Sequence, residues 1–178
     1  MAGNILKLSK VETQRRQHDA VLPVGHEYLV ARARVLASEG ARVFVHGLHE
    51  GQAEEGVAEI RDAGGDAVGV EGDVRSDEGA SRVAAAVTAA GGVDLPINNF
   101  GRAEGNGWLD GTSDEWQQMF DTNVMSGARM VRELVPSMKA RPAGWGRVLF
   151  LSTVGRVRPR SHMPGYYSSK ASHPTLPA

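Results

Sequence analysis

The stretch Ala80–Asn98, ASRVAAAVTAAGGVDLPIN, contains the change of period on which the fold turns. Ala80, Val83, Val87 and Ala90 recur at helical spacing and line one face of a helix. The pair Gly91-Gly92 stops that helix, and Val93 to Asn98 follows as a short apolar strand. The same alternation runs upstream. Leu29, Ala33 and Leu36 share a face of one helix and Ala53, Val57 and Ile60 a face of the next, with strands at Val43–Val45 and Ala67–Val70. Short Val-rich and Ile-rich strands alternating with helices predict βαβ units and a parallel sheet.

Downstream, Thr112 and Glu115 have the spacing of a capping box, and Trp116, Phe120, Val124, Val131, Leu134 and Met138 form one stripe. The spacing predicts one long helix ending near Arg141 and Pro142. Arg147 to Ser152 reads as a fifth strand with the apolar core Val148, Leu149, Phe150 and Leu151. A last helix begins near Pro164 and stops before Pro174 and Pro177. The 178 residues suffice for one core, so residues 20–178 are expected to form one domain behind a polar tail, residues 1–19, basic around Arg15 and Arg16.

Composition narrows the chemistry. With no cysteine there is no disulfide, thiolate metal site or cysteine nucleophile. Twenty Lys and Arg against 21 Asp and Glu leave a formal net charge of −1, which gives no field for nucleic acid or an anionic membrane. No apolar run approaches the roughly 18 residues of a membrane span, and Met1–Ala20 lacks the apolar segment of a signal peptide, so the expected location is cytoplasmic. The six histidines form no ligand pair with a neighbouring carboxylate, and no metal is assigned.

Tyr166 and Lys170 stand four apart, so on a helix they share a face, and the ammonium lowers the phenol pKa toward a working general acid or base. Before them come Val93-Asp94-Leu95-Pro96-Ile97-Asn98-Asn99-Phe100-Gly101, then Asn123 in Asp121-Thr122-Asn123-Val124, then Leu151-Ser152-Thr153-Val154-Gly155. In this order and spacing, with Glu39-Gly40-Ala41-Arg42-Val43 and Gly72-Asp73-Val74 upstream, the set resembles the short-chain dehydrogenase/reductase family.

The resemblance implies an α/β, Rossmann-like doubly wound parallel sheet. Since the chain ends eight residues after Lys170, it implies a sheet incomplete at its C-terminal end, with about five strands. It also implies hydride transfer between NAD(P)(H) and a carbonyl or alcohol substrate. By similarity Tyr166 exchanges the proton, Lys170 bonds the nicotinamide ribose, Asn123 anchors a relay water, and Ser152 or Thr153 polarises the carbonyl. Counting back from Gly155 selects Ser152 and counting back thirteen from Tyr166 selects Thr153; Ser152 is preferred. Asp73 and Val74 match the adenine-contacting pair, and Asn99 and Gly101 the segment under the adenosine ribose. Val45-His46-Gly47-Leu48-His49 carries no carboxylate for a ribose 2′-hydroxyl, which favours NADP over NAD.

Three departures stand against this pattern. The glycine-rich phosphate loop falls within Leu22–Leu29, where Gly25 is the single glycine and Glu27 adds negative charge. Pro96 removes a donor from a central strand, and Phe100 replaces a small residue. A second reading follows: a non-catalytic scaffold or interaction protein that keeps the fold without the cofactor. Under either reading the helices over residues 113–140 and 164–173 are candidates for pairing with a second copy.

Overall fold

The computed structural model describes residues 19–23, 27–141 and 145–173. The tail and the middle of the Leu22–Leu29 segment lie outside the described residues, as do the closing prolines. The elements are β1 (Asp19–Pro23), α1 (Glu27–Ser38), β2 (Arg42–Gly47), α2 (Glu54–Asp62), β3 (Asp66–Glu71) and α3 (Asp77–Ala89). Then come β4 (Leu95–Asn98), α4 (Ser113–Phe120), a π turn (Asp121–Met125), α5 (Ser126–Ala140), β5 (Leu149–Phe150), a 3-10 turn (Val154–Arg156) and α6 (Pro164–Ala171). All pairings are parallel, in the order β3-β2-β1-β4-β5. A doubly wound dinucleotide-binding sheet runs 3-2-1-4-5-6, and these are its first five strands.

β2 is apolar along Val43–Val45 because both of its faces are covered. Val43, Val45 and Ala67 pack with Ala33, Ala37, Ala53, Val57 and Ile60 from α1 and α2. Phe44, pointing the other way, packs with Val83 and Val87 of α3 and Met130, Leu134 and Met138 of α5. Each such buried side chain contributes about 1.5–3 kcal/mol. Asp94, buried ahead of β4, pairs with Arg141 at 3.1 Å and ties the end of α5 to the sheet. No helix among the described residues is long and apolar enough to cross a membrane.

Several expectations need correction. Asp19 belongs to β1 rather than to the tail. The capping box forms as read, Thr112 Oγ1 accepting from the Glu115 amide and Glu115 returning to the Thr112 amide, but the long helix is broken by the π turn. A π turn spends an extra residue and rotates the inward face. Met119 and Met130 are therefore buried, while Trp116, Phe120 and Val131 are half-buried.

The fifth strand pairs only at Leu149 and Phe150 among the described residues, and Leu149 is exposed. Pro96 has a matching effect. The β1–β4 ladder runs only over Ala20–Val21 and Leu95–Pro96, whereas β1 pairs with β2 along its whole length.

Candidate active site

α6 starts with Pro164 at its first helical position, where the missing N–H costs nothing, after Met163 turns the chain in the left-handed region (φ 54°). One face then carries Tyr166, Ser169, Lys170 and, just past the helix, His173, at helical steps of 3, 4 and 7. Lys170 is only 6% exposed, and its Nζ donates to the Leu151 carbonyl at 3.2 Å. Burial penalises the ammonium and lowers its pKa to about 8.

Asn123 reaches this face from the π turn. Its Oδ1 accepts from the Arg102 amide at 2.8 Å, and its Nδ2 donates to the Arg102 carbonyl and to Ser169 Oγ, both at 3.0 Å. Ser169 in turn donates to the Tyr166 carbonyl at 2.7 Å. Gly101 lies over both groups. A Cβ there would stand 2.5 Å from Asn123 Oδ1 and 3.0 Å from Lys170 Nζ, so the close approach requires glycine.

The hydroxyl pair divides its work. Ser152 donates to the Lys170 carbonyl at 2.9 Å and fastens the end of β5 to α6. Thr153 Oγ1 accepts from the Gly155 amide at 3.2 Å, and its own hydrogen is uncommitted among the described residues. Tyr166 is half-buried, with its ring 5.2 Å from that of Tyr167, and its hydroxyl has no hydrogen-bond partner among the described residues. Tyr167 is a packing residue: its ring covers Gly155 so closely that a Cβ there would collide with it.

The other sequence candidates lie elsewhere along the carboxyl ends of the strands. Val74 is buried in the core. The Asp73 carboxylate accepts from Arg75 through the backbone amide (3.0 Å), Nε (2.8 Å) and Nη2 (2.6 Å), which holds its pKa below the usual carboxylate range. Asn99 donates its amide to Ile97 O at 3.1 Å. At the end of β2, His46 is buried with Nε2 2.8 Å from the Gly72 carbonyl, and burial lowers its pKa. β2 supplies no carboxylate to the turn that follows it, but Glu71 of β3 reaches across and accepts from the Gly51 amide at 2.7 Å.

Phe100 borders a cavity of about 30 Å³ shared with His46, Val74, Asn123, Met130 and Phe150, which is large enough for about two waters. Among the described residues no group of three or more His, Asp or Glu is arranged to hold a metal ion.

The structure thus brings Asn123, Gly101, Ser152 and Lys170 into one cluster, with Tyr166 a turn away on the same helix face. Asp73 and Val74 follow β3, two strands from β1, and Val74 meets the cluster at the cavity that it lines together with Asn123. Two residues of the cluster, Ser169 and His173, were not among the sequence candidates. Their steps of three and seven from Tyr166 are the signal that would have found them.

A family profile described as short chain dehydrogenase matches residues 30–176. The chain belongs to the short-chain dehydrogenase family. It is 30% identical over 142 residues to the uncharacterized oxidoreductase YvrD of Bacillus subtilis, covering 80% of this chain and 53% of that one. It is 32% identical over 148 residues to a 7alpha-hydroxysteroid dehydrogenase of Clostridium sardiniense, covering 80% and 55%. The chain therefore spans about half the length of the curated relatives it matches.

Among solved structures it is similar to a 3-oxoacyl (acyl-carrier-protein) reductase of Agrobacterium tumefaciens with NADP bound. The TM-score is 0.82 at 25% identity, covering 90% of this chain and 62% of that one. It is also similar to the L-sorbose reductase of Gluconobacter frateurii complexed with NADPH and L-sorbose, with a TM-score of 0.81 at 26% identity, covering 88% and 60%. In fold the chain resembles these two reductases over 88–90% of its own length.

Proposed function

We propose that the chain interconverts a carbonyl and an alcohol with NADP(H), using Tyr166, Lys170, Asn123 and the Ser152–Thr153 pair. The observation that carries this reading is the buried Lys170 ammonium, one helical turn from a tyrosine hydroxyl with no protein partner among the described residues. The donor set suits a nicotinamide ribose. Of the three N–H groups of Lys170 one goes to Leu151 O, and two remain to meet sugar hydroxyls. When bound, the nicotinamide ring supplies or accepts the hydride.

The protein's own residues handle the proton and the substrate oxygen. Tyr166, its hydroxyl free of protein partners among the described residues, gives its proton to the oxygen of a carbonyl being reduced and takes it back from an alcohol being oxidised. A hydroxyl polarises a carbonyl by donating. Thr153 has its hydrogen uncommitted, and Ser152 does so on release from the Lys170 carbonyl. The Leu151 carbonyl holds the Lys170 ammonium, and Gly101 leaves the room that it occupies. By the family resemblance Asp73 and Val74 would hold the adenine end of the cofactor, and Asn99 and Gly101 its ribose. The absence of a β2 carboxylate supports NADP, and the named NADP and NADPH complexes of similar proteins support the same choice.

The test is a thermal scan of the chain with NADPH and with NADH, each at about 100 times its dissociation constant, where binding adds about 2.7 kcal/mol. The expected result is a rise of about 5–10 °C with NADPH, followed by NADPH oxidation in a screen of small carbonyl compounds. A cooperative transition that neither nucleotide moves favours the scaffold reading, for which a second copy held through the helices over residues 113–140 and 164–173 is the partner.

A further inference from the structure

The π turn leaves backbone carbonyls open to side-chain donors: Thr122 O accepts from Ser126 Oγ at 2.6 Å, and Asn123 O meets His173 Nε2 at 2.8 Å. A carbonyl can only accept, so His173 carries its hydrogen on Nε2. The ring is 7% exposed and tilted against Phe150 at 5.8 Å, and its Nδ1 is buried and makes no hydrogen bond of good geometry among the described residues, with the Leu151 backbone nearby. Burial is the largest influence on the ring and disfavours its charged form, as does the Lys170 ammonium nearby; backbone hydrogen bonding at Asn123 and Leu151 favours the charge, and the net pKa is lowered. Neutral imidazole with hydrogen on Nε2 is the form that satisfies the geometry. Asn123 is thereby held at every polar atom of its side chain and at its carbonyl, by Arg102, Ser169 and His173.

We propose that His173 is a positioning residue of this site: its Nε2–H closes the Asn123 carbonyl, which fixes Asn123 against Arg102 and Ser169 and pins the end of α6 that carries Lys170. The inference deepens the functional reading and rests on it for its catalytic meaning, but its geometry can be tested without turnover.

The experiment is amide hydrogen exchange by NMR on the full chain, on H173L and on H173Q, whose side-chain amide can still donate to the carbonyl. The Arg102 amide, bonded to Asn123 Oδ1, reports on the site, and the Val83 amide in α3 reports on global stability. In H173L, Arg102 exchange is expected to rise about tenfold or more with Val83 unchanged, and H173Q is expected to restore it. Unchanged Arg102 exchange in H173L overturns the proposal, as does a parallel rise at Val83. A ring protonated on Nδ1 in long-range ¹⁵N spectra of the unsubstituted chain overturns it too. Failure to oxidise NADPH with any carbonyl, with the exchange pattern intact, removes the functional reading and leaves His173 as the residue that orders Asn123.

Discussion

At the ends of β2 and β3 the charged groups stay near water and neutralise one another, whereas at the π turn and α6 the polar groups are buried and lean on the backbone. The Asp73–Arg75 pair keeps more than a third of each side chain exposed. Lys170, Asn123, Ser169 and His173 are each less than a tenth exposed. An exposed ion pair contributes about 0–1 kcal/mol, while a buried ammonium costs several and persists only where the rest of the fold holds it. The difference separates a surface that any compatible charges could decorate from a cluster maintained against its own energetic cost, and such clusters concentrate at functional sites.

The largest test of that contrast is Y166F. Removing a general acid–base hydroxyl is expected to lower kcat by about 10²–10⁴-fold while leaving the unfolding midpoint unchanged. Steady-state assays beside a thermal scan measure both, and a midpoint that falls with kcat assigns Tyr166 to the structural side.

K170M comes next and has the opposite sign for stability. Lys170 titrates near 8 when folded against 10.5 as a free side chain, so between those values the unfolded chain binds more protons and stability rises with pH. The penalty is complete below pH 8 and fades as pH climbs to 10.5. It is up to about 3 kcal/mol. K170M is expected to be inactive, more stable than the unsubstituted chain at pH 7, and without the rise in stability between pH 8 and 10. Urea unfolding across that range decides it.

G101A is a smaller effect in the same region. The added methyl must displace an Asn123 side chain held by three hydrogen bonds, at a cost of about 1–3 kcal/mol with loss of Lys170 placement. The smallest is D73N. It removes a stabilising pair whose contribution is present above the ordinary carboxylate pKa and is lost as pH falls through the depressed one. With both groups exposed, a loss of about 0.5 kcal/mol or less is expected near neutral pH, with no change in Arg102 exchange.

Most of the fold was legible because local rules write it. Val43 to Val45 read as a short strand, Gly91-Gly92 stopped α3, and the Thr112–Glu115 capping box opened α4 where its spacing put it. The π turn was not legible. Trp116, Phe120 and Val131 fit a 3.6 period, and the wider turn goes with tertiary partners: Met119 beside Gly165 of α6, Asn123 on Arg102, Ser169 and His173, and Met130 in the core. The shortness of β5 also escaped, since Leu149 is as apolar as a core residue and is nonetheless exposed.

The sequence by itself determined the order of strands and helices, the family, and the chain positions of Tyr166, Lys170, Asn123 and Ser152, because periodicity and motif spacing are properties of neighbours along the chain. The tertiary structure alone decided that Gly101 and Leu151 close on Lys170, that Asp73 spends its charge on Arg75, and that His173 meets the Asn123 carbonyl from 50 residues away. Burial and partnership depend on groups distant in sequence arriving together, and these two conditions set the protonation of a lysine and the tautomer of a histidine.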